Sequence, residues 1–190
     1  QAARLAPDDP RITLTLAHLS YESWQPAADL FARAAALSPT TAAAQLPITR
    51  AHALALNAEG AGAEAQALLT TALARQPDWV EGHRALATMR LTAGEDAAGD
   101  GAAGAGADFA RSFASGVAAL PADAPGQLGL RLAWFQVLAT ARHWDAARAV
   151  LADARAALGP HRGLTLAEIF LASESDSAST DPHLFDGVAD

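Results

Sequence analysis

Cysteine is absent from this chain of 190 residues, which excludes disulfides and thiol chemistry and leaves the redox compartment open. Basic residues are scarce: 13 Lys and Arg stand against 21 Asp and Glu, giving a net charge of −8 with no dense basic run. A surface that neutralises nucleic-acid phosphates needs the reverse balance, so no nucleic acid is expected as a partner. No apolar run reaches the ~18 residues that mark a membrane-spanning helix, and no signal-type start is present. Neither a membrane partner nor export is therefore expected, and the location read from these missing signals is cytoplasmic. Aromatic residues make up only 6% of the chain. The apolar content of 51% is still enough for a continuous core, and alanine dominates it. Alanine favours helices and lets their backbones approach closely, so the composition suits many short packed helices.

What the sequence does contain is a repeat. In residues 24–39, WQPAADLFARAAALSP, a small residue, a large apolar one, another small one and a proline stand at Ala27, Phe31, Ala34 and Pro39. The same steps of 4, 3 and 5 return at Ala65, Leu69, Ala72 and Pro77, and at Phe109, Phe113, Gly116 and Pro121. A fourth copy runs Ala147, Leu151, Ala154, with Gly159 in the proline position and Pro160 one place late, and Ala2 and Pro7 are the remains of an earlier one. Steps of 4 and 3 put the three residues on one helix face, and the proline prevents the helix from continuing. A helix with a hard stop, repeated with a second helix between copies, is a helical-hairpin repeat.

Taken in order, Asp9 and Pro10 predict a cap and first turn for a helix carrying Ile12, Leu16 and Leu19 on one face. Its partner is expected over 26–37. The run TTAAAQ after Pro39 reads as a loop, followed by helices over 47–57 and 63–75 joined around Gly60 and Gly62. Asp78 and Glu81 resemble a capping box for a helix over 79–92 that ends at Gly94. Residues 95–108 read as a flexible Gly/Ala-rich insertion before a helix over 108–120. Further helices are expected over 127–141, 145–158 and 164–173, with another starting at Asp181. The chain opens at Gln1 in the tail of a repeat and stops at Asp190 inside an apparent helix, as expected of a piece truncated at both ends.

The candidates for chemistry are few. His143-Trp144-Asp145 spells H-x-D, with His161 or His183 as a third ligand for iron, but the pattern lies in a hairpin turn and reads as a capped start. Residues 99–104 match G-x-G-x-x-G, yet a helix rather than a strand precedes them, so dinucleotide binding is not expected. The six histidines show no compact ligand spacing. No cofactor or metal is expected, and no catalytic residue is assigned. Trp24, Trp79, Trp134 and Trp144 stand near turns or helix starts, where packing is their expected role.

The ladder resembles that of the tetratricopeptide repeat (TPR) family, in which two antiparallel helices fill about 34 residues. Leu16-Ala17, Tyr21, Phe31 and Pro39 match its pattern in the first hairpin; Ala53, Gly60, Ala65 and Pro77 in the second; Leu86-Ala87, Gly94, Phe113 and Pro121 in the third. His52, Phe109 and the pair Trp134-Phe135 depart from it. The resemblance implies an all-α fold, a superhelical array of about five antiparallel hairpins forming a single domain over 1–190. It further implies that first helices line a concave groove. Arg50 and Arg84, 34 residues apart, would project into it side by side, with Arg11, Tyr21, Asn57, Thr88 and Gln136 on or near the same face. The implied role is a non-catalytic scaffold whose partner is a protein or peptide segment, acidic or carboxylate-terminated. Exposed repeat ends would also allow self-association. A narrower resemblance, carried by FARSFA, LAWFQVLATARHWDAARAVL and LAEIFLASES, is to the helical-repeat region N-terminal to bacterial 2-oxoglutarate- and iron-dependent oxygenase domains. It implies an accessory arm of a larger enzyme.

Overall fold

The computed structural model describes residues 8–97 and 105–178, and among them the chain forms nine helices and no strand. These are α1 (Pro10–Glu22), α2 (Ala28–Leu37), α3 (Ala42–Ala58), α4 (Gly62–Arg75), α5 (Val80–Ala97), α6 (Ala105–Ala119), α7 (Gly126–Thr140), α8 (Trp144–Leu158) and α9 (Arg162–Ala178). The protein is all-α, and none of these helices is long and apolar enough to cross a membrane. Internal contacts divide it into two units, Gln1–Ser112 and Phe113–Asp190.

In the first unit each helix packs on the next, α1 on α2 through α4 on α5, and α3 also meets α5. The predicted ladder is the core: Ala27, Phe31, Ala34, Ala65 and Leu69 are all 1% exposed or less. Of these, Ala27, Phe31, Ala65 and Leu69 join Ala17, Ala53, Leu56 and Leu86 in one buried cluster. In the second unit α7 packs on α8 and α9, and α8 on α9. Phe113, Ala147, Leu151 and Ala154 are buried there, again on the predicted steps. Phe113 stacks on Trp134 at 6.3 Å between ring centroids.

Three turns close helix pairs in the same way. Trp24 (φ 58), Gly60 (φ 85) and Arg142 (φ 59) take the left-handed conformation. The following N–H then reaches back five residues, from Gln25 to Ser20 O at 2.9 Å, Ala61 to Leu56 O at 2.8 Å and His143 to Leu138 O at 2.9 Å. This satisfies carbonyls that a helix end would leave open. Three joints between pairs follow a second rule: six residues after Pro39, Pro77 and Pro121 stands a side-chain donor. The Gln45 amide donates to Ala35 O and Pro39 O, both at 3.0 Å, and to Ser38 O at 3.3 Å. The Gln127 amide donates to Val117 O at 2.9 Å and Leu120 O at 3.0 Å. His83 Nε2 lies 2.9 Å from Pro77 O. Across another joint, Glu59 Oε1 accepts from the N–H groups of Ala27 (2.7 Å) and Ala28 (2.9 Å), capping the start of α2 from the end of α3.

Asp9 caps α1 as expected, accepting from Arg11 N at 2.8 Å, with Pro10 in the first turn. Several expectations change. The run after Pro39 is helical: α3 starts at Ala42, five residues before Pro47. A proline this near a helix start forfeits only one intrahelical bond, and helical geometry is what brings the Gln45 amide onto the end of α2. Helix α5 passes through Gly94 to Ala97. A glycine inside a helix costs about 1 kcal/mol, which the packing of α5 outweighs. Helix α6 starts at Ala105, and the rest of the expected insertion, 98–104, lies outside the described residues, as do all of the G-x-G-x-x-G residues 99–104 and the helix expected from Asp181. The Asp78 cap is not formed: Asp78 accepts from the Gln76 amide, and the Trp79 carbonyl receives the first helical N–H, from His83. On α1, small Thr13 and Ala17 are buried while Leu16 and Leu19 are 37% and 54% exposed, because small residues allow the closer helix approach. Trp24, expected to pack, is 92% exposed.

Candidate functional site

The site lies in the first unit, around Arg50 on α3. Arg50 is exposed, and its guanidinium makes no hydrogen bond or ion pair with another described residue. Two hollows meet at it. The first, about 290 Å³, has buried Phe31 and Ile48 in its lining together with Leu14 and Leu54, and exposed Tyr21 and His18 on its rim. The His18 ring is held edge-on to Phe31 at 5.1 Å. The second, about 320 Å³, is lined by Ala42, Ala43, Leu46, Trp79 and Glu81. Arg50 and Pro47 belong to both walls.

Local structure explains this arrangement. Because α3 extends back to Ala42, its first turns supply the alanine wall of the second hollow, and Pro47 has no N–H to offer the Ala43 carbonyl in that wall. Trp79 is fixed against Gly82: a Cβ added there would fall within the indole ring. Each hollow is therefore mostly apolar, and their shared boundary is Pro47 and a cation unpaired among the described residues. Such a surface favours an anion flanked by apolar groups, since a charge-assisted bond to guanidinium is about twice as strong as a neutral one.

Of the residues picked out in the sequence, Tyr21 and Arg50 share the first hollow. Arg84, on α5, is half-buried and lines neither hollow. Arg11 is exposed beside its own capping residue, Nε 3.7 Å from Asp9. Asn57 is exposed near the end of α3, with its side-chain oxygen against Gly62. Thr88 is exposed on α5, and its carbonyl accepts from Thr92. Gln136 is exposed on α7 in the second unit, where its carbonyl accepts from Thr140. Not picked out in the sequence were His18, Glu81 and the part that Trp79 takes in lining the second hollow. The available signal was that Trp79 stands two residues past a repeat proline, where a helix pair begins beside its predecessor.

His52, half-buried on α3, has its pKa lowered by burial, against the opposing pull of Glu64, Asp29 and Glu59. His83 is lowered too, by burial, with its bond to the Pro77 carbonyl acting the other way. Both are neutral, structural imidazoles near pH 7 and take no part in the cationic surface. His143 and Asp145 of the H-x-D pattern are separated in use: His143 is the residue before α8, and Asp145 pairs with Arg148 at 2.9 Å. Among the described residues no three His, Asp or Glu side chains come together as a metal site; His183 lies outside them. Compared with known proteins, the chain matches no family model and no curated protein at a level that shows common descent.

Proposed function

We propose that this chain is a non-catalytic, TPR-like scaffold, a superhelical array of antiparallel hairpins whose groove side holds a protein or peptide segment carrying acidic side chains. The observation that carries the reading is Arg50: an exposed guanidinium, unpaired among the described residues, between two apolar hollows. Support for the architecture comes from burial of the repeated ladder and from the contact of α3 with α5, first helices of successive pairs. Arg84, one repeat on from Arg50, is assigned a second contact to the same segment.

The test is selection from a random library of capped decapeptides on the immobilised chain. The expected result is enrichment of Asp and Glu among binders, lost in Arg50→Ala and weakened in Arg84→Ala while circular dichroism shows unchanged helicity. A library that yields the same binders on Arg50→Ala as on the parent overturns the proposal.

A further inference from the structure

We infer that the Arg50 site reads the order of side chains in its partner: an internal Asp or Glu, with an apolar residue two places before it and another two places after. This rests on the scaffold reading above and adds the partner's class, an acidic residue inside an extended segment rather than at a chain end.

The inference comes from having two hollows instead of one. A carboxylate on Arg50 leaves an apolar hollow on each side of it, with Pro47 and Arg50 common to both. In an extended segment alternate side chains point the same way, so residues i−2, i and i+2 face the protein together. Four residues of strand span about 13 Å, and neighbouring helix axes lie about 8–10 Å apart, a difference that side chains leaning inward cover. A terminal carboxylate would fill one hollow and leave the other empty.

The two hollows also differ. Tyr21 at the first brings a hydroxyl that bonds no other described residue, whereas Glu81 at the second brings a carboxylate. Glu81 repels an acid placed in the second hollow, which fixes the acidic position at the centre. Trp79 supplies part of the second hollow's wall to whichever of the two apolar side chains sits there.

Fluorescence anisotropy of the full chain with labelled, doubly capped nonapeptides tests this. The parent probe is glycine and serine with glutamate at its fifth place and leucine at its third and seventh. One comparison probe replaces glutamate by glutamine; another keeps the composition but moves glutamate to the seventh place and leucine to the fifth. The expected result is about tenfold tighter binding of the centred probe than of either comparison, with that preference lost in Arg50→Gln. Ala43→Trp, at an exposed position in the second wall, fills that hollow and removes the contribution of one of the two leucines, which single Leu→Ser probes at the third and seventh places identify. If the moved-glutamate probe binds as well as the centred one while Arg50→Gln weakens both, the order reading is overturned and the scaffold reading stands. Absence of binding by every probe also overturns it, and the library selection then judges the scaffold reading alone.

Discussion

The joint after Pro39 and the joint after Pro77 solve one problem with different chemistry. In both, carbonyls at or just past a helix end need donors, and the proline there has no N–H to give. After Pro39 the donor is the Gln45 amide, spread over three carbonyls; after Pro77 it is the His83 imidazole, on one. Amide and imidazole share little as residue types, yet both carry an N–H at the end of a side chain of suitable length. The requirement is therefore geometric. The second difference is steric: the residue before the donor is Ala44 in one joint and Gly82, closed in by Trp79, in the other.

Substitutions separate these elements. The largest effect is expected from Gln45→Leu, which keeps the bulk and removes the donor; leaving the Ala35, Ser38 and Pro39 carbonyls short of a partner should cost about 2 kcal/mol in urea unfolding. A loss below about 0.5 kcal/mol would mean that water serves those carbonyls equally well. Gly82→Ala should cost about 1–2 kcal/mol, since the indole must move to admit the methyl group. The matching Ala44→Gly should cost less than 1 kcal/mol, through helix propensity alone. Equal losses at the two positions would remove the steric distinction.

The turns extend the comparison to smaller energies. Gly60→Ala should cost about 1 kcal/mol, because φ 85 disfavours any side chain. Trp24→Gly should stabilise by a few tenths of a kcal/mol, relief of strain at φ 58 being partly cancelled by greater freedom in the unfolded chain. Thermal unfolding of the two variants should therefore shift in opposite directions.

The finest distinction is pH. Burial holds the His83 imidazole below its ordinary 6.5, so the unfolded chain binds a proton at higher pH than the folded one. The stability tied to neutral His83 is whole above about 6.5 and is lost as pH falls through the folded value. His83→Gln, which installs the amide used at the other joints, should reduce the loss of stability between pH 7 and 5. His52 contributes with the same sign and should leave a residual slope. An unchanged slope would show that His83 binds its proton equally well in the folded and unfolded chain.

How much of this could be read from the chain depends on the distance over which each feature is encoded. Ala27, Phe31, Ala34 and Leu69 were legible because burial follows a helical period within one segment. The start at Asp9 and Pro10 is equally local. The helix through Pro47 was not legible, because the reason for it, the Gln45 amide on the end of α2, joins two helices. Leu16 and Leu19 look like core by type, but whether they are covered depends on a neighbour their own helix does not specify. At the site, Arg50 and Tyr21 could be placed through the repeat. The hollows could not, since Phe31 and Ile48 come from two helices and Trp79 from the joint before a third, and their walls form only after packing.

Glu59 has a consequence for synthesis. The N–H groups of Ala27 and Ala28 are capped by a carboxylate that lies 32 and 31 residues later in the chain. As the polypeptide leaves the ribosome, α1 and α2 emerge complete in sequence but with the start of α2 still open to water. That start closes only when the whole of α3 has followed. The first pair is thus finished by the second, and its final structure is timed by translation of its successor.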